Sequence, residues 1–122
     1  ECEGNIIETC TLKLYDKYSQ AIPFIICLEE GSNDWTAAGQ SCAKKLGLDW
    51  KKIHSCATSD VGHKYELEMA DATESLQPAR TRVPWITINK THSTEVNQKV
   101  QKDLVGYVCS VYRGPLKIDA CK

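Results

Sequence analysis

Seven cysteines, at positions 2, 10, 27, 42, 56, 109 and 121, are the residues of this chain best suited to chemistry. A thiolate can attack a disulfide, hold a metal or bond to a second sulfur, and each use needs its own spacing. No two cysteines stand as Cys-x-x-Cys, the arrangement in which a second thiol resolves the mixed disulfide formed by the first. A self-contained dithiol reductase is therefore not expected, and no catalytic residue is assigned within the chain. Cysteine makes up about 6% of the residues, below the roughly 8–10% of a small disulfide scaffold but high for a reducing compartment. All seven are candidates for structural disulfides in an oxidising setting. The count is odd, so at least one is free or bonded outside the chain. Spacing leaves the pairing open, with one preference: Cys109 with Cys121, because Gly114-Pro115 lets the tail turn back.

Other constellations are weaker. His54, Cys56 and His63 are the nearest approach to a metal set, but a zinc site needs four close ligands. The simpler reading is a structural cysteine beside two surface histidines, and neither a metal nor a cofactor is expected. The same residues could pair a thiolate with a base, a use that a half-cystine cannot serve. Asn89-Lys90-Thr91 fits the N-glycosylation pattern in a turn-like setting. Trp35, Trp50 and Trp85 read first as packing residues, and the acids between Asp60 and Asp71 as a solvated helix face.

The 122 residues amount to one domain's length. Fifteen basic against sixteen acidic side chains leave a net charge of −1. That balance removes the case for a nucleic-acid binder or an anionic membrane surface as partner. No apolar run approaches the roughly 18 residues of a membrane helix. The chain opens at Glu1 without Met or an apolar leader, as expected of a chain whose leader has been removed or of a processed piece of something longer.

Two kinds of element must position these residues. Ile6, Ile7, Cys10, Leu14 and Tyr18 share one helical face. Ala21–Leu28 is apolar and ambiguous. Trp35, Ala38, Cys42 and Leu46 mark a helix between a cap in Gly31–Asp34 and a stop at Gly47. Asp49 caps a short helix with Trp50, Ile53 and Cys56 or Ala57 inward. Asp60 opens a longer one with Val61, Tyr65, Met69, Ala72 and Leu76 inward, ended by Pro78. Val83–Ile88 then predicts a strand, with Pro84 at its start, and a short second strand is possible after the Asn89–Ser93 turn. From Thr94, Val100, Leu104, Val108 and Val111 mark a final amphipathic helix. A strand apolar on both faces needs sheet neighbours that this chain does not provide, so the fold looks incomplete.

Glu1-Cys2, Asn5 and Cys10 reproduce the spacing Glu-Cys-x2-Asn-x4-Cys, and Val83-Pro84-Trp85 leads into an apolar strand and a helix bearing Val108-Cys109 and Tyr112. Together with Leu76-Gln77-Pro78 and the order of Cys27, Cys42 and Cys56, these stretches resemble the gamma-interferon-inducible lysosomal thiol reductase (GILT) family across essentially the whole chain. The family's Cys-Gln-His-Gly and its Cys-x-x-Cys are not in this sequence.

The resemblance implies an α+β, thioredoxin-like fold with a large helical insertion. Residues 1–122 would form one incomplete domain, with insertion to about 79 and the strand and C-terminal helix from about 80. It implies a cis Val83–Pro84 bond and a substrate edge at Val83, Pro84 and Trp85. It further implies an N-terminal chain of the same precursor carrying Cys-x-x-Cys, disulfide-containing protein substrates, and an acidic endosomal, lysosomal or secreted setting. The alternative is a secreted, disulfide-stabilised binding module derived from the same family.

Overall fold

Asp34, Asp49, Ser93 and Asp103 each accept a backbone N–H from three residues further on, and each opens a helix. Such caps satisfy donors that the first turn leaves unpaired. In the computed structural model, which describes residues 2–122, these caps and the apolar spacing produce a mostly helical chain. It divides into two compact units, one running to Ala72 and the other from Thr73 to Lys122.

The first unit is built from five helices: α1 (Cys2–Leu14), α2 (Tyr18–Glu29), α3 (Trp35–Leu46), α4 (Trp50–Ala57) and α5 (Asp60–Glu74). The α1 face carrying Ile6, Ile7 and Cys10 packs on α2, α3 and α4. Phe24 and Leu28 of α2, Ala43 of α3 and Ile53 of α4 are fully buried in the same core. Burying a side chain such as Phe24 stabilises the fold by about 1.5–3 kcal/mol. Gly47 ends α3 with φ of 70°, a left-handed conformation that costs glycine little.

Two sequence expectations need correction in this unit, and one open reading is resolved. The stripe from Ile6 to Tyr18 is two helices, broken at residues 15–17, and Tyr18 is 73% exposed. The ambiguous run Ala21–Leu28 is helical straight through Pro23, whose ring lies on the exposed side while Ala21, Phe24 and Leu28 are buried. The predicted inner face of α5 is largely outward: Val61 is 50% exposed, and Gly62 is the buried residue of the helix. Tyr65 of the predicted face does pack, partly buried, against the core, and polar contacts also join α5 to α1. Thr9 donates to Glu66, and Lys13 Nζ lies 2.7 Å from Glu68 Oε2 and over the Tyr65 ring.

The second unit contains α6 (Thr94–Lys102), α7 (Leu104–Val111) and a 3-10 turn at Asp119–Cys121. The single long helix predicted from Thr94 is interrupted at Asp103, which ends α6 and caps α7. The predicted strand 83–88 and its companion are absent among the described residues. What forms is one antiparallel bridge between Ile88 and Thr91. The α+β expectation is therefore not met by this chain, because a strand needs a ladder partner and none lies beside residues 83–87. The unit's core is thin: Asn97 and Val100 are its buried residues, and α7 buries none of its own. No described helix is long and apolar enough to cross a membrane.

Candidate functional site

Six cysteines are paired. Cys10–Cys56 joins α1 to α4, Cys27–Cys42 joins α2 to α3, and Cys109–Cys121 ties α7 to the 3-10 turn. The pairing expected for Cys109 and Cys121 is observed. Cys2 is the free cysteine and is exposed at the start of α1. In the chain-entropy picture, closing loops of 15 and 46 residues stabilises the first unit by about 3 and 4 kcal/mol respectively. Because Cys56 is committed to Cys10, it can serve neither as a nucleophile nor as a metal ligand with His54 and His63. Among the described residues no group of three His, Cys, Asp or Glu side chains is placed to hold a metal ion.

The Val83–Ile88 segment is held by side chains rather than by a neighbouring strand. The Val83–Pro84 bond is cis, as expected, and so is Gln77–Pro78. Val83 is 77% exposed and Pro84 is exposed, whereas Trp85 to Ile88 are half-buried. Ile86 donates its N–H to Asn97 Oδ1 at 2.8 Å, and its carbonyl lies 2.8 Å from His92 Nδ1. A carbonyl can only accept, so Nδ1 carries the proton and donates. The His92 ring also stacks on Trp85, with centroids 3.6 Å apart and planes 11° from parallel.

Asn97 is completely buried, yet its Nδ2 has no partner, and neither does the buried Nε1 of Trp85. An unpaired buried donor costs about 1–3 kcal/mol. Asn89 sits exposed at the tip of the following turn with φ of 49°, and Lys90 follows at 65°.

Sequence reasoning missed His92 and Asn97. The signal for Asn97 was its register: it lies one turn before Val100 on the face that α6 buries. His92 carried no comparable sign, since it stands in a polar turn. A group in the first unit was missed as well. Burial first, then the hydrogen-bonded Glu29 carboxyl and the charges of Glu29 and Glu66, push Glu8 up to about 7. These acids come from three different helices, so no linear spacing reveals them.

The family model described as gamma interferon inducible lysosomal thiol reductase matches residues 1–46. A goldfish (Carassius auratus) protein named gamma-interferon-inducible lysosomal thiol reductase is 40% identical over 93% of this chain. The chain is similar to the GILT family over most of its length. An Arabidopsis thaliana gamma-interferon-responsive lysosomal thiol protein is 32% identical over 93% of the chain. A Drosophila melanogaster GILT-like protein 1 is 30% identical over 94%. The chain spans 45%, 46% and 51% of these three GILT relatives, about half of their length. Of the GILT spacing at the start, Glu1 lies outside the described residues, Cys2 is free, and Cys10 holds α1 to α4.

Proposed function

We propose that this chain is the portion of a GILT-like thiol reductase that scaffolds the reaction, the attacking dithiol being supplied by an N-terminal chain of the same precursor. The reaction is an exchange: two thiols of a Cys-x-x-Cys become a disulfide, and the substrate disulfide takes up their two electrons and two protons. The observation that carries the reading is the match itself, since 93% of the chain aligns with a named thiol reductase while covering 45% of it. The fold would then be thioredoxin-like, residues to about 79 forming a helical insertion and the rest contributing the segment after Val83. Substrate would pair along the exposed Val83–Pro84–Trp85 edge in the manner of an added strand.

The apolar faces of the second unit support a partner. Leu104 is 56% exposed, and Val105, Val108 and Val111 are exposed beside it. Leu104, Val105, Val108 and Ile118 line an open apolar cleft of about 320 Å³ together with the Cys109–Cys121 disulfide. A 50-residue unit that buries so little of its own apolar surface gains stability from a chain that covers it. Three disulfides support an oxidising endosomal, lysosomal or secreted setting, the relatives' names favour the lysosomal one, and Asn89 is the glycan acceptor.

Intact mass of natively purified material, before and after reduction, tests the reading. A co-purifying N-terminal chain bearing Cys-x-x-Cys, with disulfide reduction at acidic pH, is the expected result. Native material consisting of this chain alone sinks it, and would leave a binding module built on a reductase scaffold.

A further inference from the structure

Ile86 and Ile88 have all their backbone hydrogen bonds satisfied on one side of the segment. Asn97 takes the Ile86 N–H, His92 takes the Ile86 carbonyl, and Thr91 exchanges both of its bonds with Ile88. In extended backbone the N–H and C=O of one residue point to one side and those of the next to the other. The Ile86 side is thus closed by groups of this unit. No bond of that kind reaches the backbone of Trp85 or Thr87 among the described residues.

We propose that Asn97 and His92 are positioning residues for the Val83–Trp85 edge, standing in for a neighbouring strand at Ile86 so that the exposed residues before it keep a fixed register toward an extended substrate peptide. The inference rests on the reading of that edge as the substrate-binding edge. Two observations support it beyond the hydrogen bonds. Asn97 is wholly buried on a face it shares with Val100, and its Nδ2 is left unpaired. With Nδ2 idle, the side-chain hydrogen bond that Asn97 makes among the described residues is the one that holds Ile86. The His92 ring does two things at once: it bonds the Ile86 carbonyl through Nδ1 and lies flat on Trp85. It therefore fixes a backbone group and the adjacent edge side chain relative to each other.

The test is amide hydrogen exchange by nuclear magnetic resonance on the 122-residue chain, with three variants. In the unaltered chain the Ile86 amide exchanges at least about tenfold more slowly than those of Trp85 and Thr87. Asn97→Ala brings Ile86 to their rate. His92→Asn keeps a donor for the Ile86 carbonyl, and the Val83 and Trp85 signals stay sharp. His92→Phe keeps the stack but loses the donor, and the same signals broaden. Should Asn97→Ala unfold the unit, the two His92 variants decide. An Ile86 amide as fast as its neighbours in the unaltered chain overturns the assignment, and so does a His92→Phe chain with unchanged Val83 and Trp85 signals.

In native material carrying the dithiol, His92→Phe lowers kcat/KM for an extended peptide disulfide about tenfold and leaves a small hydroxyethyl disulfide unaffected. An equal loss on both substrates counts against positioning. If neither is reduced by the unaltered material while the amide results hold, the reductase reading fails and the positioning of the segment stands.

Discussion

Gly39 of α3 lies directly against the six-membered ring of Trp50 of α4, leaving no room for a β-carbon. The two helices approach as closely as they do because a hydrogen stands where other residues carry a side chain. Gly39→Ala therefore forces the ring aside or the helices apart. The expected cost is about 1–3 kcal/mol, typical of overpacking in a close-packed core. Urea unfolding of the purified variant measures it, and an unchanged midpoint would show that the ring moves freely.

Glu8 gives the helical unit a pH dependence. Its folded pKa is about 7, against an ordinary 4.5. Between these values the folded state keeps a proton that the unfolded chain has released, so stability falls as pH rises. The contribution is complete below 4.5 and lost as pH passes through about 7. The facing acids are Glu29 of α2 and Glu66 of α5, which repel the Glu8 carboxylate once it ionises. Thermal midpoints between acid and neutral pH should decline in the unaltered chain and flatten in Glu8→Gln. A parallel decline in that variant would place the effect elsewhere.

The free thiol can be counted. Alkylation of the native, oxidised chain should add one label, at Cys2, and reduction before alkylation should add seven. Cys2→Ser should leave the unfolding free energy from urea titration within about 0.5 kcal/mol, as a surface substitution does. Replacing Cys27 and Cys42 by Ala should cost about 2–4 kcal/mol. More than one native label would mean that a pair is open in solution.

Asn89 should carry a glycan when the chain is expressed through a secretory pathway. It is exposed, stands at a turn tip, and has Thr91 two residues on. The mass of secreted protein before and after glycosidase reads this out, and Thr91→Ala should abolish the difference. Unmodified Asn89 in such material would remove it from the sites of this chain.

Much of the first unit was legible because its signals are local. Asp34, Asp49 and Gly47 mark helix ends by their own hydrogen bonding or backbone freedom, and Ile53 and Cys56 face inward at helical spacing. The errors came where tertiary contact decided. Val61 and Met69 look like part of an inner face, but α5 leans on α1 through Thr9, Glu66 and Lys13, and they are left outside. Val83–Ile88 has strand residues and no strand, since residue type sets a preference and only a partner makes a ladder. Asn97 and His92 acquire their meaning from Ile86, several residues away, which no single-residue pattern reveals.

The two cystines of the first unit are nested, Cys27–Cys42 lying wholly inside the span of Cys10–Cys56. Nesting gives oxidative maturation an order. Spans of 15 and 46 residues differ in closure entropy by about 1 kcal/mol, so the inner thiols meet about fivefold more often in the unfolded chain. Once the inner bond has formed, the outer pair is bridged by a shorter effective tether and closes more readily in turn. The α2–α3 hairpin thereby acts as the template on which α1 and α4 are afterwards fastened.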